Sequence, residues 1–334
     1  VARDTLYKLI AANKWKTAFY ILLFSIIIAA LGVAAAWIFA KTWQGFLTAC
    51  VLIGISIIVY NIIFFFASKP LALAASGARK ADPLQYKRLH NVVEEMAIAS
   101  GLPKPEVYVV PDSSPNAFAT GRNPDNAAIA VTTGLYEMLD RAELQGVIAH
   151  EVSHIKNHDI LLMTIVATMV GAVVLGRDIL LRWGIFFGGG RSRSSGRNAG
   201  STAIIRLVLL LVLLILASIS ILLIRAAISR QREYLADASG AMMTRNPEGL
   251  ARALEKIGAA YIPLHRKTAA TAHLYISSPE CKDRINPQKP YKTVKVNLWA
   301  THPPIELRVQ RLRSLSLDGQ YAQQLAWARS TEAS

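Results

Sequence analysis

Cysteine is nearly absent. Cys50 and Cys281 are the two in 334 residues, and Cys50 sits inside an apolar run. So distant a pair offers no disulfide framework and no CxxC zinc site. Charge is also scarce, at 18% of residues against about 25% in an ordinary soluble enzyme. Hydrophobic residues make up 53%, and the mean hydropathy is +0.33. That balance excludes a disordered chain, a collagen-like repeat and a coiled coil, and it points to membrane spans. Acidic residues are the scarcer charge, 22 against 37 basic ones, for a formal net charge of +15. In a soluble protein such an excess points to nucleic acid. In so apolar a chain, basic residues that flank spans and face anionic lipid explain it better, and no nucleic-acid partner is expected.

Four apolar runs organise what is present. The first, Thr17 to Ala40, carries no charge and is bracketed by Lys14, Lys16 and Lys41, with Trp15, Trp37 and Trp43 as interfacial anchors. As a helix it reaches about 36 Å, enough for a hydrocarbon core of about 30 Å and too long for a signal-peptide core. The second, Thr42 to Ser68, ends at Lys69-Pro70, so the two read as a helical hairpin. Arg3, Lys8, Lys14 and Lys16 precede the hairpin, and Lys69, Arg79, Lys80, Lys87 and Arg88 follow it. The positive-inside rule therefore places both ends in the cytoplasm. The third run, Ile160 to Gly176, is weaker, and the fourth is Leu207 to Ile224. Between them lies a Gly/Ser/Arg linker, Gly188 to Gly200. Two crossings are expected here, with a re-entrant or interfacial pair as the alternative.

The remaining segments are polar and mixed. Val107 to Val110 and Ala127 to Val131 read as strands around the turn-rich stretch PDSSPNAFATGRNPDN. After Arg230, helical stretches alternate with Pro-containing loops. The expected fold is mainly α with a small β-sheet (α+β), in a polytopic membrane protein. The expected division is a transmembrane hairpin over 1–69, a first catalytic part over 70–159, a second hairpin over 160–228 and a second catalytic part over 229–334.

The chemistry concentrates at His150-Glu-Val-Ser-His154. Histidines four apart share one helix face and can grip one metal ion, while Glu151 can reach a water on it. Two solvated histidines on a helix would be the plain alternative. Zinc in hydrolases usually takes three protein ligands. Glu233-Tyr-Leu-Ala-Asp237 follows the fourth apolar run, and its two carboxylates are again four apart. Glu233 can be the third ligand, and Asp237 can accept a hydrogen bond from a ligand histidine. By itself this stretch reads as surface carboxylates balancing Arg230 and Arg232; the HExxH upstream favours ligation.

HEVSH followed by EYLAD after a hydrophobic hairpin resembles the membrane zinc peptidases of the HtpX family, relatives of the CAAX prenyl proteases. Asn116-Ala-Phe-Ala-Thr-Gly121, Ala128-Ile-Ala-Val-Thr-Thr-Gly134, Ile155-Lys-Asn157-His-Asp159 and Thr301-His302-Pro303-Pro304 are similar to the same pattern. The likeness runs from the N-terminal hairpin to about Leu312. It implies a zincin-like catalytic domain with one Zn2+ per chain, the HExxH helix supplying two ligands and a later helix the third. It implies a stress-linked quality-control endopeptidase of the cell membrane, multi-pass, with its site facing the cytoplasm and membrane-protein or peptide substrates. His302 resembles the histidine of the family's late His-Pro motif and is the candidate oxyanion donor, with a plain loop histidine as the alternative. Asn116, Ala117, Phe118 and Ala119 resemble the family's edge strand, to which a substrate would add as a further strand.

Topology agrees with this reading. Glu233 can meet His150 and His154 only if an even number of crossings separates them. His154 lies about 9 Å of helix before Ile160, and Glu233 about 13 Å beyond Ile224. The site is therefore expected at the membrane surface, on helices continuing out of the bilayer. Arg308 could pair with Asp237 or with the oxyanion. His158 is expected outside the ligand set, and His90, His265 and His273 are expected to be structural. A narrow processing protease, a catalytically silent membrane module and a small transporter are the rival readings. The retained Glu151 argues against silence, and spans almost free of ionisable residues argue against transport.

Overall fold

The computed structural model describes residues 2–40, 42–166, 215, 230–260, 275–276 and 303–315. Helices dominate, with one small mixed sheet. Two long helices come first, α1 (Ala2–Phe39) and α2 (Trp43–Ser76). Thr42 starts α2 by accepting the N–H of Gly45, and Gly77, at φ 72°, ends it. The helix thus continues through Pro70, a full turn and more beyond the expected stop at Lys69-Pro70. Asn61 on α2 donates to the Ser25 hydroxyl on α1 at 3.0 Å and fastens the pair. Among the described residues, Trp43–Ile63 is the one helical segment long and apolar enough to cross a membrane; Thr17–Ala30 is a shorter apolar stretch. The third apolar run is described only to residue 166 and the fourth only at residue 215, so most of both hairpin arms and all of the Gly/Ser/Arg linker lie outside the described residues.

The sheet comprises β1 (Arg79–Lys80), β2 (Glu106–Val110), β3 (Ala117–Gly121) and β4 (Ala127–Thr132), in the order β1-β2-β4-β3. β2 and β4 are parallel, with Tyr108 opposite Ala130; β3 runs antiparallel to β4, with Ala119 opposite Ile129. Both expected strands are present. β3 lies inside the stretch that turn residues marked as loop, and it forms an edge of the sheet.

Both faces of the sheet are covered, which explains why β4 is apolar at nearly every position instead of alternating. One face, with Ala117, Ala119, Ile129 and Val131, shares one core with helices α3 (Lys87–Ser100), α5 (Arg141–Lys156) and α7 (Pro247–Ala259). The other, with Phe118, Ala128 and Ala130, meets Ala72 and Leu73 from the last turns of α2. The short helix α4 (Thr133–Met138) links β4 to α5.

Central to the fold is α5. Asp140 caps it, accepting from the Glu143 N–H while the Glu143 carboxylate accepts from the Asp140 N–H, a reciprocal capping box. Lys256 of α7 also donates to Glu143, tying the two helices at 2.7 Å. α5 is buried on nearly every side, against β3, α3, α7 and α6 (Arg230–Thr244). Two glycines permit this crowding. A Cβ on Gly146 would stand 2.6 Å from the Leu250 backbone nitrogen, and one on Gly240 would stand 3.0 Å from that of His150.

The HExxH helix does not continue straight into the third apolar run, as the sequence led us to expect. It stops at Lys156, Asn157 caps it, and His158 adopts φ 57°. A new helical stretch, 159–166, then departs and packs Leu162, Ile165 and Val166 against Phe24 of α1. His158 is therefore in the turn and not on a continued ligand face.

Candidate metal centre

His150 and His154 face one another one helical turn apart, with their Nε2 atoms 3.3 Å apart. Glu233, on α6, brings its carboxylate to 3.8 Å from His150 Nε2 and 3.7 Å from His154 Nε2. All three residues are buried, and one ligand atom from each lies within 4.8 Å of the others. A tetrahedral ion with bonds of 2.0–2.1 Å would hold its ligand atoms about 3.3 Å apart, which these distances approach.

The Nδ1 atoms explain why the Nε2 pair faces inward. His150 Nδ1 lies 2.9 Å from Asp237, and His154 Nδ1 lies 3.1 Å from Asp159. Each carboxylate accepts the Nδ1 proton, so each Nε2 presents a lone pair. Two lone pairs and a carboxylate then converge in a buried space, and only a cation satisfies all three. Burial opposes charge on His154, yet the hydrogen bond to Asp159 and the charges of Glu233, Asp159 and Glu151 push it up to about 9. His150 moves the other way, lowered mainly by burial despite Asp237. The donor set thus fits a divalent metal ion.

Around the centre, Asp237 is held by Arg308. The guanidinium Nε lies 2.9 Å from Oδ2 and Nη2 lies 2.7 Å from Oδ1. Burial alone would raise the Asp237 carboxyl, but Arg308 and His150 bring it down to about 2. Of the two partners left open for Arg308, it takes Asp237. The same guanidinium donates through Nη1 to the Ile276 carbonyl at 3.0 Å. Ile276 in turn donates its N–H to the Ala117 carbonyl on β3 at 3.0 Å. A hydrogen-bonded path therefore runs from His150 to the edge strand.

Glu151 is buried beside the histidines, at 2% exposure. It accepts the Ala119 N–H from β3, and burial first, then the charge of Glu233, raise its carboxyl to about 7. Asn116, Ala117, Phe118 and Ala119 are all buried along this edge. His302, His265 and His273 lie outside the described residues. His90 meets the Ala81 carbonyl through Nε2 at 3.1 Å and is not among the grouped ligands. Sequence reasoning overlooked Asp159, the Ala119 N–H and Ile276. An acidic residue five after the second histidine was the one available signal.

An HExxH helix, a glutamate from a later helix and carboxylates behind both histidines define a metal-dependent peptidase site. The profile of Peptidase family M48 matches residues 83–316. A protease HtpX homolog of Thermoanaerobacter pseudethanolicus is 49% identical over 317 residues, covering 95% of this chain and 100% of that protein. One from Streptococcus uberis is 40% identical over 310 residues, covering 93% and 100%. This chain belongs to peptidase family M48. It is a metalloprotease, and its substrates are peptides or proteins.

Proposed function

We propose that the chain is a membrane-anchored zinc endopeptidase, with its site at the cytoplasmic face, acting in quality control of misfolded membrane proteins. The observation that carries the reading is the convergence of His150 Nε2, His154 Nε2 and the Glu233 carboxylate, with Glu151 alongside. His150, His154 and Glu233 would hold one ion, and a His2Glu set favours zinc. Bound there, the ion would supply Lewis acidity toward a water and a peptide carbonyl.

The protein's own groups do the rest. Glu151 is the general base: it takes the proton of the attacking water and returns it to the leaving amine. A carboxyl raised to about 7 by burial exchanges protons readily near neutrality. The Ala119 N–H aims that carboxylate. Asp237 and Arg308 hold the His150 ring. His302 remains the proposed oxyanion donor, on its likeness to the family's late His-Pro motif.

Substrate would add as a strand along Asn116, Ala117, Phe118 and Ala119. Outward-facing groups alternate along β3: the Ala117 carbonyl is taken by Ile276, and the Ala119 N–H by Glu151. The Ala119 carbonyl is therefore the group we assign to a substrate N–H.

The membrane reading rests on α1 and α2, whose apolar side chains, Phe19, Leu22 and Ile26 on α1 and Leu52, Ile55, Ile58, Ile62 and Phe66 on α2, are exposed. Residues 1–69 and 160–228 are the proposed hairpins, and 70–159 with 229–334 the catalytic parts; basic residues at both ends of the first hairpin favour a cytoplasmic site.

Cleavage of casein and of a membrane-protein substrate, in detergent with added zinc, tests this function. Glu151→Gln should abolish cleavage while leaving metal content intact; equal cleavage by parent and variant discards the base.

A further inference from the structure

We propose that Asp159 is a positioning residue for the metal centre, holding the His154 ring so that Nε2 faces His150 and Glu233. The inference rests on the metal-site reading above and extends it to the second histidine.

Four observations carry it. Asp159 Oδ2 lies 3.1 Å from His154 Nδ1, and both side chains are buried. This repeats, on the second histidine, the contact that Asp237 makes to the first at 2.9 Å. In an uninterrupted helix a residue five positions on turns ~140° further round the axis, away from its partner. The turn at Asn157 and His158 removes that obstacle and brings Asp159 back over His154. His158 achieves it at φ 57°; among the described residues only Arg245 shares a positive φ without being glycine. Finally, Asp159 Oδ1 lies 3.6 Å from Nη1 of Arg232, the residue before Glu233. That separation is an ion pair and too long for a hydrogen bond.

Each ligand histidine thus has its own carboxylate, and each carboxylate its own arginine: Asp237 with Arg308, Asp159 with Arg232. Asp159, like Asp237, links both halves of the centre: it touches the histidine of α5 and the approach to Glu233 on α6. Removing it frees the His154 ring to rotate and lets its proton move to Nε2, which would withdraw one ligand. Loss of such an outer partner weakens metal binding by about 10–100-fold.

The test uses the full chain in detergent, stripped of metal and titrated with Zn2+ against a chromophoric chelator. Co2+ absorption reports the ligand geometry. The parent should bind one ion per chain. Asp159→Asn should bind about 10–100-fold more weakly and shift the Co2+ bands. Its kcat should fall with little change in KM. His158→Gly, which suits the positive φ, should bind as the parent does. His158→Val, which opposes it, should weaken binding in the way Asp159→Asn does.

A parent that binds no divalent ion would refute the metal site itself. A parent that binds one ion, with Asp159→Asn equal to it in affinity and spectrum, would refute only the role of Asp159 and leave it a structural residue of the 157–159 turn. Should Asp159→Asn fail to fold, the His158 pair decides: equal affinity in His158→Val and His158→Gly overturns the proposal.

Discussion

Arg308 and Asp237, 71 residues apart in the chain, form a two-point ion pair in which the arginine is wholly buried. The planar guanidinium matches the carboxylate at both oxygens, which a lysine could not do. Asp237 also accepts from His150 Nδ1 at 2.9 Å. Arg308→Met would therefore strand a buried carboxylate and destabilise the fold by about 3–5 kcal/mol. Arg308→Met combined with Asp237→Leu should recover much of that stability yet bind metal weakly. Chemical denaturation and chelator competition on the parent and the two variants check both outcomes.

Glu233 is the only carboxylate that faces both Nε2 atoms among the described residues. Glu233→Ala should bring metal below one ion per chain at a zinc concentration that saturates the parent. Elemental analysis after gel filtration measures it, and full occupancy would mean that another residue is the third ligand.

Two close approaches separate stability from metal affinity. Gly146→Ala forces a Cβ against the backbone of Leu250, at 2.6 Å, and pushes α7 from α5. Overpacking of this kind costs about 1–3 kcal/mol, and metal affinity should hold because α7 carries no ligand. Gly240→Ala meets the His150 backbone nitrogen at 3.0 Å and pushes α6, which carries Glu233. Metal affinity should fall in that variant. Thermal melts beside zinc titrations of both proteins would show whether the effects divide this way.

Asp140 gives the fold a defined pH dependence. Its carboxyl is lowered chiefly by the Glu143 backbone N–H it accepts, with partial opposition from burial. A carboxyl lowered on folding contributes stability above its unfolded pKa of about 3.9, and that contribution is lost as pH falls through the lower folded value. Asp140→Ala should cost about 1 kcal/mol at neutral pH and progressively less below about pH 4. A constant difference across that range would show that the cap does not act through its charge.

Much of the centre was legible before any fold was known, because its signals are local. Histidines four apart must share a helix face, and so must Glu233 and Asp237. β2 and β4 were legible from their β-branched and apolar runs. β3 was marked only by the family resemblance of 116–119, because Pro115, Gly121 and Asn123 make its surroundings read as turn; pairing with β4 and cover on both faces outweigh those signals. Asp159 was hidden for a related reason. Helical periodicity places it away from His154, and only the break at His158 reverses that.

The amino-acid order alone determined the histidine pair, the helix face that bears it and the apolar segments on either side. Those follow from backbone periodicity and composition, which act over a few residues. The tertiary structure alone decided which nitrogen of each histidine faces inward, which carboxylate holds each ring, and that Arg308 serves Asp237. These depend on the close approach of α6 to α5 and on a turn that abandons the helical period. They are outcomes of packing, which selects among the partners that spacing along the chain leaves open.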